Sequence, residues 1–156
     1  MFTQHHMARL FAASGLLLLT AAANAVPPLP AKFTATISPR TAAAGKTVTV
    51  TVRAKIDSGW HLYSVIPSGV GPVATGIASW AGGTPTGTTA ENKPVKKIDK
   101  TFGTLVAYHE KTATFTRRFK LTQPLVAGKT APVTLHYQLC SDRQCLPPSD
   151  IAVPVR

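Results

Sequence analysis

The residues best suited to chemistry in this sequence are its two cysteines, Cys140 and Cys145, which have four residues between them. Thiols at this spacing can form a disulfide only across a tight loop. Such a bridge has two possible roles. It can hold a hairpin closed, or it can exchange electrons with the disulfides of other proteins.

The short loop limits how much this bridge can stabilise the fold. In the chain-entropy model a loop of about six residues contributes roughly 2 kcal/mol, whereas a loop of about 90 residues contributes nearer 4 or 5. Inside the loop Arg143 would favour a thiolate and Asp142 would oppose it. Pro147 and Pro148 stiffen the chain that follows. Spacing alone therefore leaves redox exchange and a structural hairpin disulfide equally open.

The N-terminus has the pattern of an export signal. Residues 1–9 carry one arginine, residues 10–23 are apolar, and residues 23–25 read Ala-Asn-Ala, a small-x-small cleavage pattern. The apolar run falls short of the roughly 20 residues that span a bilayer. We therefore predict a cleaved signal peptide over residues 1–25 and a single domain over residues 26–156, with no membrane span in the mature chain.

The rest of the sequence is dominated by an alternation of period two, which is typical of half-buried strands. Residues 47–56 alternate valines with polar side chains, and residues 112–121 alternate again, although Arg117 interrupts the apolar face. Further strands are predicted at 32–38, 60–65, 133–139 and 151–155, and a weaker one at 73–80. Residues 82–87 are expected to form a loop, and residues 93–100 a basic irregular segment. Together these patterns predict an all-β sandwich of about seven to nine strands.

Several other functions find little support. The formal net charge is +11, but the basic residues are not interleaved with aromatic ones, so nucleic acid is not expected as a partner. The carboxylates are scattered singly along the sequence. His61, His109 and His136 lack metal-ligand spacing, and His136 lies roughly 13 Å along its strand from Cys140, too far to activate it. We expect neither a metal nor an organic cofactor.

Residues 137–148 read Tyr-Gln-Leu-Cys-Ser-Asp-Arg-Gln-Cys-Leu-Pro-Pro. This segment resembles the signature of the N-terminal periplasmic domain of the thiol:disulfide interchange protein DsbD, which is Tyr-Gln-x-Cys-x-Asp, a short gap and Cys-x-Pro-Pro. Residues 59–64 resemble the glycine-aromatic-x-Leu-Tyr strand of that family, and residues 71–75 and 102–108 fall where similar segments lie. The gap between the cysteines is one residue shorter than in the best-known members.

The resemblance implies an immunoglobulin-like β-sandwich whose cysteines relay reducing equivalents to protein disulfides in the periplasm. Cys145 would form the mixed disulfide and Cys140 would resolve it. Because the sequence ends at Arg156 without a membrane segment or a thioredoxin-like domain, a stand-alone form is expected. Its partners would be thioredoxin-like periplasmic proteins, including those of cytochrome c maturation, and a membrane electron donor supplied by another chain.

The resemblance also implies a set of residues around the cysteines. Tyr63 would pack against the pair, and Asp142 belongs to the motif itself. A loop that carries an aromatic side chain would cover the pair, with Phe102 and Tyr108 as its candidates. The alternative hypothesis is a non-catalytic exported sandwich that binds proteins and uses the disulfide to hold a hairpin.

Overall fold

The computed structural model describes residues 28–66, 69, 71–100, 102–128 and 130–156, so the predicted signal peptide lies outside the described residues. The described chain forms strands and no helix. No helix there is long and apolar enough to cross a membrane. The strands are β1 (Ala31–Ser38), β2 (Thr47–Ile56), β3 (Trp60–Tyr63), β4 (Gly76–Trp80), β5 (Gly83–Glu91), β6 (Val95–Asp99), β7 (Thr104–His109), β8 (Thr112–Leu121), β9 (Val133–Tyr137), β10 (Leu139–Ser141) and β11 (Ser149–Val153).

Three antiparallel sheets arise from these strands. Their strand orders are β1-β2-β8-β5, β10-β3-β7-β6 and β11-β9-β4. The alternating residues of β2 and β8 pair along nearly their whole length. Their apolar side chains are buried between the sheets, which is why the period-two pattern located both strands correctly.

One main core holds the sheets together. It contains buried side chains from all three, including Val52, Phe115, Phe119, Leu62 and Leu135. Phe115 and Phe119 are fully buried, as their position on one face of β8 predicts. The predicted class, an all-β sandwich of the immunoglobulin-like kind, is confirmed.

Two segments predicted as irregular are strands. Residues 83–91 form β5 and residues 95–99 form β6, and both lie at the edge of a sheet. An edge strand tolerates Pro85, because a proline has no N–H for a neighbouring strand. Pairing of β5 with β8 shifts register between Thr86 and Ala90. With these edge strands, the number of strands in the described residues exceeds the predicted seven to nine. The predicted strand at 133–139 is divided between β9 and β10.

Arg117, which interrupts the apolar face of β8, bridges two other strands. Its Nη1 donates to the carbonyl of Ile77 in β4 at 2.6 Å, and its Nε donates to the carbonyl of Gly87 in β5 at 3.1 Å. The guanidinium therefore links β8 to backbone acceptors in both of these strands.

A buried polar group fixes the position of β3 relative to β5 and β7. The Glu91 carboxylate, only 7% exposed, accepts hydrogen bonds from the Ser64 hydroxyl and from the Val65 N–H. It also contacts Nε2 of His109 at 2.8 Å. Because buried polar groups need partners, these bonds tie the end of β3, the strand that pairs with Cys140, to β5 and β7.

Candidate redox site

The two cysteines are bonded to each other across a short hairpin that begins in β10. Their Cα atoms are 4.1 Å apart, and they face each other as an antiparallel pair. The Ser141 N–H donates to the Gln144 carbonyl at 2.8 Å, and the Leu146 N–H donates to the Leu139 carbonyl at 2.9 Å. The cysteines thus occupy a non-hydrogen-bonded position, where opposite side chains come closest.

The local sequence explains why this hairpin closes. The Ser141 hydroxyl accepts the N–H groups of Arg143 and Gln144, both at 3.2 Å, as serine often does in turns. Behind the turn, the Gln138 side chain donates to the Leu146 carbonyl at 3.2 Å and accepts from the Val73 N–H at 2.8 Å. Hydrogen bonds as well as the disulfide therefore hold the hairpin closed.

The two cysteines differ in exposure. Cys140 is 1% exposed, whereas Cys145 is only partly buried. An incoming thiolate must reach a disulfide sulfur to attack it, so access favours attack at Cys145.

Cys140 belongs to a second, smaller apolar cluster apart from the main core. Tyr63, Val106 and Tyr108 are its other buried members, with Phe102 and Cys145 packed against it. Alternation along β3 explains the separation, because Leu62 enters the main core while Tyr63 points to the opposite face. The structure thus brings together five of the six residues predicted for the site.

Phe102 and Tyr108, the two candidates for a covering aromatic, occupy different elements. Phe102 lies in the turn between β6 and β7, where its N–H donates to Oδ1 of Asp99 at 3.3 Å and its ring centroid is 6.3 Å from that of Tyr63. Gly103, with a φ of 64°, permits the turn. Tyr108 lies within β7, directly opposite Tyr63. Phe102 is therefore the aromatic carried by a turn, and Tyr108 forms part of the sheet.

Asp142, the sixth predicted residue, is exposed in the hairpin loop. It lines a cleft of about 250 Å³ together with Trp60, His61, Lys97 and Tyr108. Four of the six carboxylates of the sequence meet around this cleft, although they are scattered along the chain. They are Asp57, Asp99, Glu110 and Asp142.

His61 is a site residue that the sequence did not identify. It lies directly opposite Cys140 in the β3–β10 pair. Its Nε2 is 3.2 Å from the Tyr63 hydroxyl, which donates to Oδ2 of Asp99 at 2.7 Å, and its ring centroid is 4.7 Å from that of Tyr108. Only the pairing register could have revealed this position.

Burial sets the protonation states of this group. Desolvation, aided by the hydrogen bond to Asp99, raises the pKa of Tyr63 well above its ordinary value, so the hydroxyl remains a donor. Desolvation also lowers the pKa of His61 below 6.5, although Asp99, Asp142 and Glu110 oppose that shift. At neutral pH the imidazole is therefore neutral.

A β-sandwich that carries a half-buried cysteine pair among aromatic side chains is a candidate thiol:disulfide exchange domain. The chain belongs to the family described as "Thiol:disulfide interchange protein DsbD, N-terminal", whose model matches residues 26–155. This family is periplasmic, acts in thiol:disulfide exchange and interacts with thioredoxin-like proteins. The resemblance seen in the sequence is thereby confirmed.

Comparison with solved structures finds the crystal structure of the Neisseria meningitidis DsbD N-terminal domain in the reduced form. It is 20% identical in sequence, with a TM-score of 0.41, and the match covers 72% of this chain and 81% of that chain. No curated protein matches the sequence.

Proposed function

We propose that this protein relays reducing equivalents in the periplasm, as a protein-disulfide reductase component that acts through Cys140 and Cys145. The observation that carries the proposal is the asymmetry of the pair in a chain of this family: Cys145 is partly exposed and Cys140 is buried. An exposed attacking thiol with a shielded partner suits disulfide exchange. A purely structural bridge would not require one cysteine to be more exposed than the other, since hydrogen bonds already hold the hairpin.

The reaction proceeds in two displacements. In the reduced protein, the Cys145 thiolate attacks one sulfur of the target disulfide, and the other target sulfur leaves as a thiolate. The Cys140 thiolate then attacks Cys145 Sγ and releases the second target sulfur. Two electrons have passed to the target, and the protein holds the Cys140–Cys145 disulfide. A donor dithiol restores the reduced state by the reverse sequence.

The surrounding aromatics control access in this proposal. Phe102 covers the pair from the β6–β7 turn until a partner displaces it, while Tyr63 and Tyr108 form the wall behind Cys140. Asp142, exposed beside the pair, lies where a docked partner would contact it. No metal or organic cofactor takes part in either displacement.

Thioredoxin-like periplasmic proteins are the proposed partners, including those of cytochrome c maturation. A membrane electron donor supplies the electrons, and the segment over residues 1–25 directs export. The competing hypothesis remains a non-catalytic protein-binding sandwich, which requires only that the disulfide hold its hairpin.

Single replacements of the cysteines test the proposal. Reduced Cys140→Ser should accumulate a mixed disulfide with an oxidised thioredoxin-like protein, because nothing remains to resolve it. Cys145→Ser should neither exchange nor trap. Non-reducing electrophoresis and mass spectrometry report both outcomes. If Cys140→Ser traps nothing under conditions where the parent exchanges, the assigned roles are wrong.

The reduction potential of the pair, measured by thiol counting in glutathione buffers of graded poise, separates the two hypotheses. A value above about −300 mV would support exchange with periplasmic partners. A value well below this, with both sulfurs resistant to reduction, would identify a structural bridge.

A further inference from the structure

To act as the resolving nucleophile, Cys140 must lose its thiol proton although its side chain is buried. The thiolate is the nucleophile in disulfide exchange, and burial among apolar groups favours the neutral thiol. Cys140 is 1% exposed and packs with Tyr63, Val106 and Tyr108. Resolution of a mixed disulfide by Cys140 therefore needs a nearby group that accepts its proton.

His61 is placed to be that group. Opposite residues of an antiparallel pair point to the same face, with Cβ atoms about 4.5–5.5 Å apart, and His61 lies opposite Cys140. The other two described histidines lie elsewhere. His109 contacts Glu91 and packs against Phe115, and His136 contacts Asp150 in a different sheet.

The hydrogen bonds of His61 define which nitrogen can accept a proton. Since the Tyr63 hydroxyl gives its hydrogen to Asp99, its oxygen accepts from His61, and Nε2 of His61 carries the proton. Nδ1 of the neutral ring is then the basic nitrogen. A base oriented by a third group in this way is the arrangement that activates nucleophiles in enzymes.

The charges around His61 come from every element packed against it. Among them the carboxylates favour an imidazolium once it forms, which assists proton transfer, whereas burial keeps the resting ring neutral. The titratable groups that face it are Tyr63 on β3, Lys97 and Asp99 on β6, Tyr108 on β7, Glu110 after β7, and Cys140 and Asp142 on the hairpin.

We propose that His61 is the general base for the resolving step, an inference that rests on the proposed function. Nδ1 of His61 takes the proton from the Cys140 thiol as the sulfur attacks Cys145 Sγ. The bond between Cys145 and the target sulfur breaks, and the target leaves with the electron pair as a thiolate. The imidazolium then returns the proton to that thiolate or to water.

The reaction of the reduced protein with dithiobis(nitrobenzoate) separates the two displacements. Attack by Cys145 releases one coloured thionitrobenzoate, and resolution by Cys140 releases a second, so stopped-flow absorbance records two phases. At neutral pH, His61→Gln should slow the second phase at least about 10-fold and leave the first within about twofold.

The pH dependence of the second phase distinguishes a base from a structural residue. In the parent, its rate should rise through the pKa of His61, below 6.5, and then level off. In His61→Gln it should rise only at alkaline pH, where the buried thiol can ionise without the help of a base. Tyr63→Phe, which keeps the ring but removes the hydroxyl between His61 and Asp99, should slow the second phase less than His61→Gln does.

His136→Gln is the matched control, because that histidine is only half-buried and lies in another sheet. It should leave both phases unchanged. An unchanged second phase and pH profile in His61→Gln would overturn the inference, as would equal slowing of both phases, while the exchange function would stand. A parent that shows no first phase would instead overturn the proposed function itself.

Discussion

Arg117 shows how one side chain in this protein can link neighbouring strands through their backbone oxygens. A charged residue on the apolar face of β8 conflicts with the alternation of its neighbours, yet its guanidinium donates to carbonyls in β4 and β5. The five fixed donors of arginine suit such bridging of backbone oxygens. One of these acceptors, the Gly87 carbonyl, lies where the pairing of β5 with β8 shifts register between Thr86 and Ala90.

At this residue scale, Arg117→Met should destabilise the fold. The substitution keeps most of the apolar stem but leaves the carbonyls of Ile77 and Gly87 without this donor, at a cost of about 1–3 kcal/mol. Denaturant unfolding of variant and parent gives the difference. Arg118→Met, whose parent residue is exposed on the same strand, is the control and should change stability by less than about 0.5 kcal/mol. Equal effects would show that the Arg117 bridge is not needed.

At the scale of elements, the β6–β7 hairpin combines two faces with different environments. On one face Tyr108 and Val106 belong to the cysteine cluster. On the other, Ile98 and Leu105 lie opposite each other and are 66% and 61% exposed. Asp99 holds the turn of this hairpin by accepting the Phe102 N–H, so Phe102 stays against the cluster.

If Phe102 covers the cysteines, Phe102→Ala should expose them. We expect Cys145 of the reduced protein to be alkylated several-fold faster. That factor corresponds to about 1 kcal/mol in the free energy of moving the ring away from the cysteines. Mass spectrometry after timed treatment with iodoacetamide measures it. Leu105→Ala, on the same hairpin but facing away, should leave the rate unchanged. A rate in Phe102→Ala equal to that of the parent would show that the ring does not limit access.

At the scale of the whole molecule, stability and reactivity reside in different clusters. The main core joins all three sheets, whereas the disulfide belongs to the small cluster on the outer face of one sheet. We therefore expect reduction of the bridge to leave the main core intact, as the proposed cycle between dithiol and disulfide requires.

Replacement of both cysteines by serine should lower the free energy of unfolding by about 2 kcal/mol, the chain-entropy value for so short a loop. Phe115→Ala, which empties part of the main core, should lower it by about 3–5 kcal/mol. Denaturant unfolding of both variants compares them. A larger loss for the cysteine variant than for Phe115→Ala would make the bridge a major structural element and would favour the binding-domain hypothesis.

The sequence by itself determined the β architecture and the cysteine motif, because both are local properties. Alternation with period two located β2 and β8 to the residue, and the spacing of Cys140 and Cys145 allowed only a hairpin bridge. The motif also indicated the family, which the match over residues 26–155 establishes.

Only the tertiary structure decided which residues surround the cysteines. The edge strands β5 and β6 carry no clear alternation, since neither face of an edge strand needs to be continuously buried, and they form because a neighbouring strand pairs with them. The register of β3 with β10 places His61 opposite Cys140, and residues as distant in sequence as Asp57 and Asp142 line one cleft. Register and proximity depend on contacts between segments far apart in the chain, and no local pattern encodes them.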